Sequence, residues 1–285
     1  MTLNPIHVQI VYGSSDVGAV SKHLVPSLSS ATERPVIVWC LNFHEETSRF
    51  ECPENIEIHF INKVGKSATG FGANHNLLFQ SRGTEEDFII VNPDCFVLPG
   101  SIDRLLTRKS SRPNAAIIEG RQWPFEHPKE YDVQTLETPW ASGAFAFIAG
   151  EFFAGSGGFD EVFFLYLEDV DLSWRAWLSG RDVIYEPEAV AVHFSNGPFY
   201  RSDIRSNEEY YGSRNFLVLL YKHFGIRGEE MAEKILFDAF PRELANLIVS
   251  DFRTMYRELV RPSQDQSSHP QIKVLGFNKF HEMNV

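Results

Sequence analysis

Five short runs rich in β-branched residues recur through the first 120 positions: HVQIVYG (7–13), PVIVWCL (35–41), IEIHFIN (56–62), DFIIVNP (87–93) and NAAIIEG (114–120). Each is closed by Gly, Pro or Asn, the residues that end strands. Helical patterns fit between several of them, at 17–30, at 72–82 behind a pair of glycines, and at 100–108 behind Pro99-Gly100. Strands that alternate with helices bury both faces of a sheet. The expected fold class is therefore α/β, with a mostly parallel central sheet flanked by helices. Ligands of such sheets bind beyond the carboxyl ends of the strands, so the residues just after each run are the candidates for chemistry.

Composition narrows the partners. A net charge of -12 disfavours nucleic acid, because phosphate backbones need clustered Lys and Arg. Cys40, Cys52 and Cys95 are odd in number and form no C-x-x-C, so neither a disulfide framework nor a zinc site is expected, and the chain reads as one of a reducing compartment. MTLNPIHVQIVYG enters a strand-like run without a basic segment or cleavage site. The longest apolar stretch, AFAFIAG at 144–150, is far below the ~18 residues a spanning helix needs. A soluble, cytoplasmic protein is expected, with peripheral contact at the inner face of a membrane left open.

Beyond residue 120 the alternation lapses. RQWPFEHPKEYDVQTLETPW (121–140) reads as a long aromatic-bearing loop facing a ligand, a candidate lid. A helix follows it through LEDVDLSWRAWLSG, in which Val170, Trp174, Trp177 and Leu178 recur at helical spacing and Asp171 and Arg175 stand four apart, close enough to pair. DVIYEPEAVAVHF suggests a strand pair bent at Pro187. The chain is helical from 206, with one or two amphipathic helices over 228–260, then a polar linker, RPSQDQSSHPQ. The division expected is a catalytic domain over 1–225 and a C-terminal helical extension and tail over 226–285, whose helices are candidates for dimerisation or membrane contact.

Several clusters could carry chemistry, and each also has a plain reading. Asn92-Pro93-Asp94 ends the fourth run; it is a turn, or it aims a carboxylate at a divalent cation, Mn2+ or Mg2+. Gly70 to Asn76 is a flexible turn with Asn74 as helix cap, or a helix mouth whose amides receive an anion. Glu168 and Asp169 are ordinary helix-start acids, or carboxylates kept ionised by the helix dipole, one of which serves as general base. His193, at the end of AVAVH, is structural, or it completes a metal site begun by Asp94. Trp140 is a core residue or a face for a sugar ring.

The order of these segments is more telling than any one of them. NPDCFVLPGS, SGAFAFIAGEFF, GGFDEVFFLYLEDVDLSWRAWLSG, VIYEPEAVAVHF and YYGSRNFLVLLYKHFG together resemble the family 2 glycosyltransferases of GT-A fold, most of all the rhamnosyl- and galactofuranosyl-transferase-like branch. The resemblance covers roughly residues 7–224. It implies inverting transfer of a sugar from a nucleotide diphosphate sugar, of dTDP-rhamnose or UDP-sugar type, to a glycan or lipid-linked acceptor hydroxyl, with Asp169 as base beside Glu168. It implies a divalent cation on Asp94 and His193. It further implies a donor site of Tyr12, Ser14, Asn42, Gly70, Phe71, Asn74, Asn92, Asp94 and Arg214, and an acceptor wall of Trp140, Ser142 and Gly143. The chain departs from the family pattern at Tyr12-Gly13-Ser14-Ser15-Asp16, at Asn42, where the second strand closes without an aspartate, and at Asn92, where a carboxylate often stands. A catalytically degenerate GT-A domain that only binds a nucleotide or glycan is the rival reading. A nucleotidyltransferase is disfavoured, since YGSSDVGAV carries no basic residue.

Overall fold

A computed structural model of the chain describes residues 4–43, 50, 52–63, 69–124, 126, 130–194, 202–262 and 268–280, with side chains described from 208 onward in the helix that begins at 202. Residues 125 and 127–129 of the expected loop and 263–267 of the expected linker lie outside the described residues.

The five runs form β1 (Ile6–Tyr12), β2 (Val36–Asn42), β3 (Ile56–Asn62), β4 (Phe88–Val91) and, after a short strand that the sequence reading omits, β5 (Cys95–Val97), the longer β6 (Ala115–Trp123). The apolar stretch AFAFIAG supplies β7 (Phe145–Ile148), and Asp182–His193 is β8. The eight strands make one sheet in the order β3-β2-β1-β4-β7-β6-β8-β5. β1 pairs in parallel with β2 and β4, β2 with β3, and β6 with β8, whereas β7 runs antiparallel to both β4 and β6, and β5 to β8. The parallel half carries the crossover helices that parallel pairing requires. The first is α1 (Val17–Ala19), continued by a π-helical turn (Val20–Leu24) into α2 (Val25–Ala31), and α3 (Phe71–Ser81) is the next; α4 (Ser101–Ser111) packs instead against β8 and β6.

DVIYEPEAVAVH is one strand rather than a bent pair. Its pairing with β6 breaks between Gly120 and Arg121, where Glu186 and Val190 are the successive partners and Pro187, Glu188 and Ala189 are passed over. Proline cannot donate to a ladder, so it is accommodated in this interruption without ending the strand. Gly120 sits at the same point because nothing larger fits: a Cβ there would lie 2.3 Å from the Phe145 ring and 2.9 Å from the Ala189 carbonyl oxygen.

Two apolar cores result. One fills the space around the sheet. The other gathers Phe163, Trp174, residues 216–221, Leu236, Phe252 and Phe280. After α5 (Gly150–Gly155), helix α6 (Glu168–Leu178) divides them, giving Leu172, Ala176 and Trp177 to the first and Val170 and Trp174 to the second. The second core also draws on α7 (Ser202–Phe224), α8 (Ile226–Ala239), α9 (Arg242–Asp251) and its π-helical continuation (Phe252–Tyr256). Buried Glu229 of α8 ties them, accepting from Arg253 at 3.2 Å and Arg257 at 3.0 Å. Phe280 stands edge-on to Trp174 at 5.5 Å and to Trp140 at 6.5 Å.

The stretch expected as a lid is anchored where it is described. Tyr131 lies 4.7 Å from Tyr185, Glu137 bridges Ile184 of β8, and Arg112 holds both the Thr135 carbonyl and the Glu137 carboxylate. This places 130–138 beside the first half of β8, away from the strand's carboxyl end.

Substituting Gly120→Ala forces Phe145 or the β8 backbone to move. Overpacking of this kind costs about 1–3 kcal/mol, and each kcal/mol lowers the midpoint of a chain this size by roughly 2–4 °C. A fall of about 2–12 °C is the expected result of thermal unfolding followed by circular dichroism.

Candidate active site

The mouth of α6 is built on two consecutive left-handed residues, Tyr166 (φ 72°) and Leu167 (φ 67°), which side chains resist at about 1–2 kcal/mol each. Asn215 of α7 holds this turn by donating to the carbonyls of Leu165 and Tyr166, both at 2.6 Å. Its own oxygen accepts from Arg214 Nε at 2.9 Å, and Arg214 Nη1 donates to the Tyr256 hydroxyl at 2.8 Å. Arg214 is 2% exposed, between Tyr211 and Tyr256. The guanidinium expected on a donor phosphate is thus turned inward, where it orients the amide that shapes the turn.

One helical turn further, Asp171 is wholly buried, taking Arg175 Nε at 2.8 Å, Lys222 Nζ at 2.8 Å and His223 Nε2 at 2.9 Å. Burial alone would raise its pKa; Arg175, the His223 hydrogen bond and Lys222 outweigh that and hold it far below the ordinary carboxylate range. The expected Asp171–Arg175 pair is present, and Arg175 goes on to donate to the carbonyls of Ser156 and Gly158. The acidic helix mouth is therefore fastened to α7 and to the turn that precedes it.

Glu168 and Asp169, adjacent in sequence, receive opposite environments. Glu168 is buried, its Oε2 has no hydrogen-bond partner, and burial followed by the charge of Asp169 raises its pKa well above normal. The helix dipole, worth about 0.3–1 kcal/mol, does not offset a desolvation of several. Burial therefore favours the protonated form of Glu168, where the expectation had the dipole keep it ionised. Asp169 is half-buried; its Oδ2 accepts from the Gly143 amide at 3.1 Å and its Oδ1 from the Val170 amide at 2.8 Å.

Gly143 connects Asp169 to the strand ends. A Cβ on it would lie 2.9 Å from the Phe71 ring and 4.0 Å from the Asp169 Cβ. The carbonyl of its neighbour Ala144 accepts from the Asn92 amide at 2.9 Å. Two residues on, Asp94 Oδ1 stands 3.3 Å from His193 Nε2, brought there because Cys95 of β5 and His193 of β8 are register partners. Asp94, Cys95 and His193 place ligand atoms within 4.8 Å of one another. The Cys95 thiol, pushed well up first by burial and then by Asp94, donates to the Ala144 carbonyl instead.

Beside this lies a cavity of about 310 Å³ lined by Val11, Gly70, Phe71, Asn74, His75, Val91, Asn92, Pro93, Phe164 and Leu165. Gly70 closes one wall with φ 71°; a Cβ there would be 2.4 Å from the Phe164 carbonyl oxygen, which accepts from the Phe71 amide at 2.9 Å. Asn74 is buried and accepts from Thr69. His75, on which burial pushes the pKa down to about 3, is neutral against Gln9. Of the other expected donor residues, Tyr12 is buried at the end of β1 with an unpartnered hydroxyl, Ser14 is exposed in the following turn, and Asn42 donates to Asn62 at the end of β3. On the expected acceptor side, Ser142 is buried with its amide on Glu119, and Trp140 packs against the second core. Glu119 and Gln122 went unnoticed in the sequence, although a carboxylate inside the run NAAIIEG is itself a signal, since buried charge needs partners.

No protein-family model matches the chain. The chain is 31% identical to the N-acetylglucosaminyl-diphospho-decaprenol L-rhamnosyltransferase of Mycobacterium tuberculosis (strain ATCC 25618 / H37Rv), in a match covering 38% of this chain and 47% of that protein. It is 33% identical to the rhamnosyltransferase WbbL of Escherichia coli (strain K12), over 24% of this chain and 26% of that one. It thus spans about half, or less, of the curated relatives it matches. In structure it is similar to GalNAc-T7 with UDP, GalNAc and Mn2+, at a TM-score of 0.60 and 11% identity, covering 95% of this chain and 59% of that chain. It is also similar to the mannosyltransferase PcManGT from Pyrobaculum calidifontis in complex with GDP-Man and Mn2+, at 0.56 and 12%, covering 89% and 82%. The chain has the GT-A fold of these solved structures and is similar over part of its length to rhamnosyltransferases. In this GT-A chain Asn92 and Pro93, the glycine-led start of α3, and Phe164 and Leu165 just ahead of the acidic helix mouth line one cavity at the strand ends.

The upward shift of the Glu168 pKa has a measurable consequence. A carboxyl whose pKa is raised on folding from 4.5 binds more protons in the folded chain than in the unfolded one above that pH. It therefore removes stability as pH rises towards its folded value. Glu168→Gln, which mimics the protonated acid, raises the unfolding midpoint at pH 7–8 and leaves it unchanged near pH 4, as read by thermal unfolding across pH.

Proposed function

We propose that the chain transfers a sugar, with inversion, from a nucleotide diphosphate sugar to an acceptor hydroxyl. The observation that carries this reading is the position of Gly143. It donates to the Asp169 carboxylate and touches Phe71 of the cavity wall, while the next residue bonds Asn92 at the strand end that leads to Asp94. A base and an anion cradle are thereby joined through two residues.

In this reading Asp169 takes the acceptor proton as oxygen attacks the anomeric carbon opposite the departing diphosphate. Such general-base assistance contributes about 10²–10⁴-fold, or roughly 3–5 kcal/mol. Phe71, Phe164 and Leu165 keep the walls apolar, which limits competing hydrolysis. Asp94 and His193 are the residues that would hold a divalent cation; their mixed oxygen and nitrogen donors suit Mn2+ better than Mg2+, which prefers oxygen alone. When bound, that ion would take up charge on the leaving diphosphate. The relatives' names support a rhamnosyl donor and a lipid-linked glycan acceptor. Among the described residues no helix is long and apolar enough to cross a membrane, so contact with such an acceptor would be made from the surface.

Asp169→Asn is expected to lower transfer by about 10²–10⁴-fold while nucleotide binding stays within a few-fold, measured as nucleoside diphosphate release from a panel of nucleotide sugars. Undiminished turnover would remove Asp169 from its role. Asp94→Ala is expected to weaken nucleoside diphosphate binding in calorimetry with Mn2+ present and to leave it unchanged in chelator; equal loss in both would rule out ligation by Asp94.

A further inference from the structure

Behind His193 runs a chain of buried polar groups that the transfer reaction does not use directly. His193 Nδ1 lies 2.8 Å from Gln122 Oε1, Gln122 Nε2 donates to Glu119 Oε1 at 3.3 Å, and Glu119 Oε2 accepts from the Ser142 amide at 2.9 Å. His193 is 6% exposed, and Gln122, Glu119 and Ser142 are 2–3% exposed. Glu119 and Gln122 are three residues apart on β6, where regular alternation would send them to opposite faces. They meet because the ladder breaks between Gly120 and Arg121.

The direction of the chain is dictated from its far end. The Ser142 amide can only donate. Glu119 accepts on both oxygens, from the Ser142 amide on one and from Gln122 Nε2 on the other. Gln122 must therefore turn its NH2 to Glu119 and its oxygen to His193. An amide oxygen facing Nδ1 demands that Nδ1 carry the hydrogen, which in the neutral ring puts the lone pair on Nε2, 3.5 Å from Asn92 Nδ2 and 3.3 Å from Asp94 Oδ1. An imidazole can ligate a cation only through such a nitrogen, and the partner of its other nitrogen fixes which one that is.

We propose that Glu119, acting through Gln122, sets the tautomer that makes His193 a cation ligand. Both are positioning residues. The inference rests on the reading of Asp94 and His193 as a cation site, but the tautomer can be measured without any cation.

Glu119→Gln is the decisive variant because it is nearly isosteric. The Ser142 amide would claim the new oxygen, leaving an NH2 facing Gln122. Gln122 would then turn its own oxygen to residue 119 and its NH2 to His193. His193 would move its hydrogen to Nε2. Long-range 1H–15N spectra of the full chain in chelator, with His193 assigned from a His193→Gln sample, are expected to show Nδ1–H in the parent and Nε2–H in Glu119→Gln. Gln122→Met, which offers no acceptor, is expected to give a mixture. Titration with Mn2+ alone is expected to show a 10–100-fold loss of affinity in both variants, the range for outer partners of a metal-bound histidine, with unfolding midpoints close to the parent's. A parent in the Nε2–H form, or a Glu119→Gln protein that keeps Nδ1–H, would overturn the proposal. If the tautomers behave as expected but the parent does not bind Mn2+, the relay stands and the cation reading fails.

Discussion

The site depends on a carboxylate that does no chemistry. Asp171, wholly enclosed, gathers Arg175 of its own helix and Lys222 and His223 of α7, while Arg175 reaches back to the carbonyls of Ser156 and Gly158. Taking one partner from a buried ion pair costs about 3–5 kcal/mol, because the remaining charge is left without water or counter-charge. Such a cluster tolerates little rearrangement. It fixes the rotation of α6, and with it the direction in which Asp169, two residues earlier, presents its oxygens.

A second constraint acts on the same helix from its open end. Tyr166 and Leu167 adopt a backbone that their side chains oppose, and they are kept there by the amide of Asn215, itself oriented by Arg214. Strain of this kind persists only where the surroundings over-determine it. Phe164 joins in from just upstream, its carbonyl receiving the first amide of α3. Two helix mouths are thus set against one stretch of chain, and the crevice between them is a product of that stretch rather than of either helix.

These features were unequally visible in the sequence. β1 to β4 could be read because buried parallel strands are nearly continuous apolar runs that end in Asn, Gly or Pro. Asp94 and His193 could be singled out from their places at strand ends, and the pairing of β5 with β8 brings them together. Arg214 misled because a cation near an expected phosphate and a cation filling hydrogen bonds in a core look alike in one dimension; only the contacts with Asn215 and Tyr256 tell them apart. Glu168 misled for a related reason. Its position at a helix start is local, whereas its protonation follows how much protein covers it, which involves Gly72, nearly a hundred residues upstream. Glu119 and Gln122 were hard to link because strand periodicity places them apart, and they meet where β8 passes over three residues opposite Gly120 and Arg121.

Phe280 stands edge-on to both Trp174 and Trp140, so it contacts the helix that carries Asp169 and the segment that leads to Gly143. A single ring near the end of the chain thereby couples the two arms of the crevice to the tail. A displacement of Phe280 would therefore be felt at both arms together.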